Sequence, residues 1–230
     1  GDFISKQFYE SEGLDVLHSG RPAQHFVHTI PGYQGKCAAW LDVPLQDGKE
    51  KFLKPGYERR AEAISIAKEV KRIADSCGPS LSIGVISFYR AQCDVILDAL
   101  ADEGLAEEED GEVRIARSYR QTESGDERLR VGTVDAFQGK EFDIVFLSIV
   151  RANDVVVPDQ KEGEERERLL NGKYGHLRLA NRMNVAMSRQ RKLLVAVVAK
   201  HMAEGPESEE GVPALAAFLK LCREEMAHGR

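Results

Sequence analysis

Short runs of apolar, mostly β-branched residues recur along the chain and alternate with longer stretches of helical periodicity. Continuous apolar runs bounded by turn or helix signals are typical of strands that are buried on both faces of a parallel sheet. The runs are residues 37–43, 81–87, 130–134, 144–150 and 193–199. Because strands alternate with helices, the pattern predicts an α/β fold with an open, mostly parallel sheet and right-handed crossovers.

The helical stretches have apolar positions at the spacing that places one face of a helix against a sheet. They are residues 57–77, 91–101, 177–189 and 212–226. In the first stretch, the predicted buried stripe consists of Ala61, Ile64, Ala67, Val70 and Ile73. The last stretch predicts an amphipathic helix that closes the domain.

Two charged segments interrupt this alternation, at residues 102–128 and 153–175. The first contains a run, 102–112, with seven acidic side chains and no basic one, and without that run the net charge of −6 would be +1. A charge run of this kind is typical of a solvated loop. The economical interpretation is a single domain over residues 1–230 with two surface insertions, and the net charge neither favours nor excludes nucleic acid as a partner.

Several protein classes receive no support from the sequence. No apolar run approaches the roughly 20 residues of a membrane-spanning helix, and the polar start predicts no signal peptide. The four cysteines are far apart and include no Cys-x-x-Cys pair, which argues against a zinc site and fits a reducing compartment. We therefore expect no membrane contact, no metal held by this chain, and a cytoplasmic location, or a nuclear one in a eukaryote.

A polar cluster follows the third predicted strand, in the sequence Val-Gly-Thr-Val-Asp-Ala-Phe-Gln-Gly-Lys-Glu of residues 131–141. In an open α/β sheet, ligands gather at the carboxyl ends of the strands. Gly139 permits close approach of the backbone. Its neighbours Gln138 and Glu141 add a donor and an acceptor, which suits a nucleotide or a phosphodiester. Solvated charges on an ordinary connection are the alternative, and the spacing alone slightly favours that alternative.

A second cluster is basic and lies on the helix predicted for residues 177–189. At about 100° per residue, Arg178, Arg182 and Arg189 fall within about 40° of one another. The planar guanidinium group suits phosphate oxygens, so this edge of the helix is a candidate anion site. A solvated basic edge is an equally good interpretation of the same spacing.

The chain has no Gly-x-x-x-x-Gly-Lys-Ser/Thr sequence, the loop that cradles the phosphates of ATP in P-loop enzymes. The Gly-Lys pairs at 35–36, 48–49, 139–140 and 172–173 all lack the following hydroxyl residue. A nucleotide that these clusters recognise would therefore need phosphate and magnesium ligands from elsewhere.

Together the two clusters resemble motifs V and VI of the Upf-like superfamily-one helicases, in residues 134–143 and 182–191. Residues 83–92 resemble the motif IV region of that family, although Phe88 stands where a proline is common. Residues 4–10 resemble the segment that follows the family's Gln-Tyr-Arg-x-His-Pro stretch, which is not present here. The resemblance covers nearly the whole chain in the family's order.

This resemblance implies a RecA-like α/β domain, the second, C-terminal motor domain of a helicase. Such a domain closes over ATP and Mg²⁺ bound mainly by an N-terminal RecA-like domain, and its alternating grip on single-stranded DNA or RNA would give 5′-to-3′ movement. The resemblance also implies site residues. Those on the nucleotide side are Arg189, Glu141, Arg182, Gln138 and Gly139, and those on the nucleic-acid side are Thr133, Asp135, Ser87 and Tyr89.

By this resemblance, Arg189 matches the arginine finger, whose charge offsets the negative charge that develops on the γ-phosphate. We expect its guanidinium to point from the end of its helix into the cleft at the strand tips. Glu141 and Arg182 are the other candidate catalytic residues. A helicase-like nucleic-acid-binding or protein-interaction module without catalysis is the alternative. The joint presence of Arg189, Glu141 and the Gln-Gly pair favours the motor.

We predict that the 230-residue chain alone shows no ATP turnover and binds nucleotide only weakly, because it has no phosphate-binding loop. The measurement is the release of inorganic phosphate from ATP, with and without a single-stranded oligonucleotide. Hydrolysis by a homogeneous preparation would contradict this prediction.

Overall fold

The computed structural model describes residues 2–10 and 26–228, and an open five-stranded sheet lies at its centre. Its strands are β1 (Ala38–Asp42), β4 (Ile83–Ser87), β7 (Leu129–Thr133), β8 (Phe142–Ser148) and β9 (Gln190–Val198). Their order across the sheet is β1-β9-β8-β4-β7, and every neighbouring pair is parallel. The predicted α/β fold class and all five predicted strands are confirmed.

Helices cover both faces of this sheet. They are α1 (Asp2–Phe8), α2 (Arg60–Cys77), α3 (Arg90–Asp102), α4 (Gly163–Tyr174), α5 (Ala180–Met187), α6 (Pro206–Gly211) and α7 (Pro213–His228). On one face, Val70 of α2 shares a buried cluster with Phe146 of β8. On the other face, Met183 of α5 and Phe218 of α7 share a second cluster with Leu147. Successive residues of β8 thus enter opposite clusters, as expected for a strand buried on both sides.

The predicted helices are present, but two of them differ from the prediction at their ends. Helix α2 begins at Arg60, because the residues before it form a short strand. Its buried apolar positions are Ala63, Ile66, Ala67, Val70, Ile73 and Ala74. The predicted stripe is therefore wrong at Ile64, which is 36% exposed. Helix α5 is shorter than predicted, because a 3-10 turn at Gly175–Arg178 precedes it and it ends at Met187.

Two antiparallel hairpins project from the sheet, and the apolar pattern does not predict them. One pairs β2 (Lys51–Leu53) with β3 (Gly56–Glu58). The other pairs β5 (Ala106–Glu109) with β6 (Glu112–Ile115), so the acidic run expected to be a solvated loop is an ordered hairpin. Its charges are balanced locally, since Arg120 Nη2 lies 2.5 Å from the Glu109 carboxylate. Within the described ranges, no helix has the length and apolar character needed to cross a membrane.

A buried ionic network joins the carboxyl end of β8 to α2. The Glu62 carboxyl, at the start of α2, accepts hydrogen bonds from Ser148 Oγ and from the Val150 amide, both at 2.8 Å. Arg59 Nη1 lies 3.1 Å from the same carboxyl, and both side chains are fully buried. Burial raises the pKa of Glu62 to about 7, against the opposing effects of Arg59 and of these hydrogen bonds. The network therefore fixes the start of α2 to the end of the central strand.

The backbone just beyond β8 is strained. Val150 has a φ of 68°, in the left-handed region that a β-branched residue adopts only at a cost of about 1–3 kcal/mol. Its amide is held by Glu62, as described above. The next residue, Arg151, turns toward the β2–β3 hairpin, where its Nε donates to both carboxylate oxygens of Glu50 at 3.0 Å. The strained turn thus directs Arg151 from the sheet to the hairpin.

We predict that Arg59→Met lowers the free energy of unfolding by about 3–5 kcal/mol. The substitution leaves the Glu62 carboxyl without its counter-charge and leaves three backbone carbonyl oxygens without the donors that Arg59 supplies. Chemical denaturation measures the change. The matched control is Arg90→Met, which removes an exposed pair with Asp94 and should barely affect stability. Similar small effects of both substitutions would show that the buried network is not a stability determinant.

Candidate functional site

The predicted site residues lie at two opposite edges of the sheet. Thr133 ends β7 and marks the carboxyl edge, whereas Glu141 and Arg189 directly precede β8 and β9 and mark the amino edge. The prediction that the whole polar cluster lies where β7 ends is therefore wrong for its second half. Since β7 and β8 both run parallel to β4, the chain must cross the sheet between them, and it does so within residues 134–141.

Phe137 occupies the middle of this crossing and packs directly against the sheet. It is fully buried, and its ring centroid lies 5.3 Å from that of Phe142. Glycines make room for it. A Cβ atom on Gly84 would lie 2.7 Å from Phe137 Cε1, and one on Gly132 would lie 3.3 Å from Cε2. The two strands present no side chain at these two positions, which leaves the space that the Phe137 ring fills.

At the amino edge, the amide of Phe142 donates to the carbonyl oxygen of Arg189 at 3.0 Å, which places Glu141 beside Arg189. The neighbouring residues Gln138, Gly139 and Glu141 are exposed. Gly139 has a φ of 75°, and no atom lies within 4 Å of the position that a Cβ would occupy there. A ligand can therefore approach the backbone closely at this edge, next to a carboxylate, a side-chain amide and a guanidinium.

Arg189 folds back onto the helix that precedes it. Its Nε donates to the Val185 carbonyl oxygen at 3.0 Å, and its Nη2 donates to Ser188 Oγ at 2.8 Å. The expectation that this guanidinium points into a cleft at the carboxyl tips is wrong, because the residue lies at the amino edge and its side chain caps the end of α5. Both acceptors are neutral oxygens, so these hydrogen bonds do not neutralise its charge.

The arginine edge predicted for the motif VI helix does not form. Arg178 lies on the 3-10 turn before α5, and its Nη1 is 2.8 Å from the Glu167 carboxylate. Arg182 lies on α5, and its Nη2 is 2.7 Å from the Asp135 carboxylate. Because α5 ends before Arg189, the three guanidinium groups face three different neighbours. The Arg182–Asp135 pair links α5 to the residues that follow β7.

A further arginine of the same motif, Arg191, braces the amino edge. Its Nη2 lies 3.4 Å from one carboxylate oxygen of Asp143, and Lys192 Nζ lies 3.3 Å from the other. Burial alone would raise the pKa of Asp143, but hydrogen bonds from Ser82 and the charges of the two cations outweigh burial and lower that pKa. This ion cluster holds the starts of β8 and β9 together.

At the carboxyl edge, Thr133 is half-buried and Asp135 is exposed. Ser87 is fully buried, and its hydroxyl donates to a backbone carbonyl of β8 at 3.3 Å. Tyr89 is only 4% exposed, and its ring stacks on His176 with centroids 5.4 Å apart. Burial also raises the pKa of the Tyr89 hydroxyl. The expectation that Ser87 and Tyr89 line a groove is wrong in this conformation, because both side chains point into the protein.

Sequence reasoning also missed the β2–β3 hairpin, which lies beside this edge. Its strands are three residues long each, and its clearest sequence signal is the Pro-Gly pair at residues 55–56. Strands of three residues are too short to show the alternation that distinguishes a strand from a loop.

Curated proteins similar to this chain include helicases. The chain is 28% identical over 201 residues to "Regulator of nonsense transcripts 1 homolog" of Neurospora crassa, covering 85% of this chain and 15% of that protein. It is 31% identical over 162 residues to "DNA polymerase alpha-associated DNA helicase A" of Saccharomyces cerevisiae, covering 69% and 18%. It is 27% identical over 183 residues to "Putative helicase MOV-10" of Gallus gallus, covering 76% and 16%. The chain thus spans less than a fifth of the length of each relative.

Among solved structures, the C-terminal domain of a possible DNA helicase from a Lactobacillus matches 93% of this chain and 91% of its own length, at 15% identity and a TM-score of 0.42. The model of the AAA domain family matches residues 1–201, which is most of the chain. Both motif-bearing segments, at 134–143 and 182–191, lie within that match. The chain therefore belongs to the AAA domain family, and its relatives are Upf-like superfamily-one helicases.

Proposed function

We propose that this chain is the second, C-terminal motor domain of an ATP-dependent superfamily-one helicase or translocase that acts on single-stranded nucleic acid. The observation that supports this proposal most strongly is the contact between Phe142 N and Arg189 O at the amino edge. It brings Glu141 and Arg189, which come from two separate motifs, to one edge of the sheet, where Glu141 is exposed and Arg189 is half-buried. In this proposal, that edge meets ATP held by an N-terminal RecA-like domain, and the carboxyl edge meets the nucleic acid.

On the nucleotide side, Arg189 is proposed to act as the arginine finger. Leaving its present position requires it to give up hydrogen bonds to one carbonyl and one hydroxyl oxygen. The present acceptors are neutral, whereas a γ-phosphate adds full opposite charge and can accept two parallel N–H···O bonds from the guanidinium, so the exchange favours the bound state. The guanidinium would then offset the charge that develops during phosphoryl transfer.

Glu141, Gln138 and Gly139 are proposed to face the same nucleotide, the first two through side chains and the glycine through its backbone. Arg182 is proposed to act as a positioning residue, since its guanidinium is engaged by Asp135. Among residues 2–10 and 26–228, no group of three or more histidine, cysteine or acidic side chains is placed to hold a metal ion. In this proposal, Mg²⁺ is held mainly by ATP and the N-terminal RecA-like domain.

On the nucleic-acid side, Thr133 and Asp135 are proposed to contact the phosphodiester backbone. Contacts of this kind are sequence-independent and weaken with salt, which suits either DNA or RNA. Closure on ATP and opening after hydrolysis would alternate the grip and give 5′-to-3′ movement. The proposed location is the cytoplasm, or the nucleus in a eukaryote.

A module without catalysis remains the competing function, because Arg189 already has a role as a helix cap. In such a module, Arg189 would never leave Val185 and Ser188, and its loss would affect only the stability of α5. The two functions therefore predict different results for one substitution.

We predict that Arg189→Ala, in the longer protein that includes the ATP-binding domain, lowers ATP turnover by about 10³- to 10⁵-fold, the range known for arginine fingers. Binding to a single-stranded oligonucleotide should remain. Steady-state phosphate release and fluorescence anisotropy measure the two properties. The matched control is Arg178→Ala, which removes a guanidinium engaged by Glu167 and should leave turnover nearly unchanged. Unchanged turnover in the Arg189 variant would support the non-catalytic module.

We also predict that Thr133→Ala lowers nucleic-acid-stimulated ATP turnover more than basal turnover, because Thr133 lies at the edge away from the nucleotide face. Titration of ATPase rate against oligonucleotide concentration separates the two rates. Thr122→Ala is the control, since Thr122 is half-buried in a loop and hydrogen bonds locally to Ser124 and the Asp126 backbone. An equal fall in basal and stimulated rates would argue against a nucleic-acid contact.

A further inference from the structure

The β2–β3 hairpin stands on the carboxyl edge of the sheet. At its base, Arg59 donates to the carbonyl oxygens of Val43 and Pro44, both at 2.8 Å, just beyond the end of β1. On its approach, the amide of Glu50 donates to the carbonyl oxygen of Ala152 at 3.1 Å, just beyond the end of β8. The hairpin is thus fixed to two strand ends, at the same edge as Thr133.

A row of four rings in contact, here called the aromatic column, runs from this hairpin to the 3-10 turn before α5; its first two contacts are edge-to-face and its last is stacked. Phe52 and Tyr57 face each other across the hairpin with ring centroids 5.2 Å apart. Tyr57 meets Tyr89 at 5.4 Å, and Tyr89 stacks on His176. The Arg151 guanidinium lies 4.4 Å from the Tyr57 ring centroid. Tyr89 is buried and Tyr57 is half-buried, whereas both end rings are exposed: His176 is exposed and Phe52 is 58% exposed.

Lysines lie near the Phe52 end of the aromatic column. Lys51 is 71% exposed in its side chain, Lys54 is exposed at the hairpin turn, and Lys49 is 55% exposed in its side chain. The acidic groups nearby are engaged. Asp154 lies 2.7 Å from Lys49, and Glu58, which is 18% exposed, lies 3.9 Å from Lys51. Lys51 shares one face of the hairpin with Glu58, and Phe52 shares the opposite face with Tyr57. The cation available beside the exposed ring is therefore Lys54, at the turn.

We propose that Phe52 is a stacking platform for one base of a single-stranded nucleic acid, and that Lys54 contacts a phosphate beside that base. An aromatic face beside cations is the combination that binds single strands without sequence preference. A protein partner would need a larger apolar patch, whereas the large apolar side chains that the hairpin itself exposes are Phe52 and Leu53, which is 38% exposed. The platform rests on the proposed function, since it adds a contact to the same nucleic-acid face.

The platform is preorganised. The hairpin is anchored by the buried Arg59 and by the Arg151–Glu50 pair, whose side chains are 3% and 9% exposed. The Phe52 ring packs against Tyr57, which in turn packs against the buried Tyr89. A base that stacks there therefore orders little of the protein, which lowers the entropic cost of binding.

The test is fluorescence anisotropy of labelled single strands with the 230-residue chain, using oligothymidylate, oligouridylate and an abasic strand of equal length and charge. We expect Phe52→Ala to weaken binding of the two base-bearing strands by about tenfold and binding of the abasic strand by less than about twofold. Phe52→Leu, which keeps apolar volume without a π-face, should behave like the alanine variant. Phe52→Trp should restore binding.

The matched control is Val27→Ala, which alters a residue that is 70% exposed at the amino edge and should leave all three affinities unchanged. A second readout comes from Phe52→Trp, because the chain contains only Trp40 as background, and stacking on the new indole should quench its emission. Comparing oligothymidylate with oligouridylate shows whether the platform favours DNA or RNA.

Two results would overturn the proposal. Equal losses on base-bearing and abasic strands would mean that Phe52 does not stack on a base. Full binding by Phe52→Leu would mean that the site needs only an apolar side chain, as a protein partner would. Absence of strand binding by every variant, the unaltered chain included, would instead remove both the platform and the nucleic-acid face proposed for Thr133.

Discussion

Phe137 packs against Gly84 and Gly132, and the organisation of both edges of the sheet depends on this contact. These glycines leave space for the ring, and the chain passes from the end of β7 to the start of β8 within residues 134–141. A longer connection would separate Asp135 from Glu141 by a flexible loop. Here the two residues lie at opposite edges, joined by a short packed segment. The Arg182–Asp135 ion pair connects that segment to α5, the helix that ends beside Arg189. Packed side chains and one ion pair thus connect the two edges.

Much of the fold was predictable because buried parallel strands are apolar on both faces, so their sequences stand out from the helices between them. All five strand runs reappear in the sheet. The failures have a common origin in weak local pattern. Ile64 has the spacing of the buried stripe of α2 but faces solvent, because the sheet covers the arc centred on Ile66 and Val70. The β2–β3 hairpin is held by the buried Arg59, a contact between residues that no periodicity encodes.

The candidate site was predictable as a set of motifs but not as an arrangement. Position after a strand gives the edge on which a residue lies, yet it does not give the direction of the side chain, and Ser87 accordingly points into the sheet. Helical geometry suggested an aligned arginine edge, but α5 ends before Arg189 and leaves that residue to cap it. Which acid each arginine meets depends on the tertiary fold. The types of residue at the candidate site were predictable from the sequence, whereas the directions of their side chains depend on tertiary packing.

The left-handed turn at Val150 fixes the β2–β3 hairpin relative to the central sheet. This turn aims Arg151 at Glu50 and so sets the angle of the β2–β3 hairpin from the backbone of β8. The Phe52 ring and Thr133 therefore belong to one rigid unit. Under the proposed function, a single strand that spans Phe52 and Thr133 would contact the domain over a constant length.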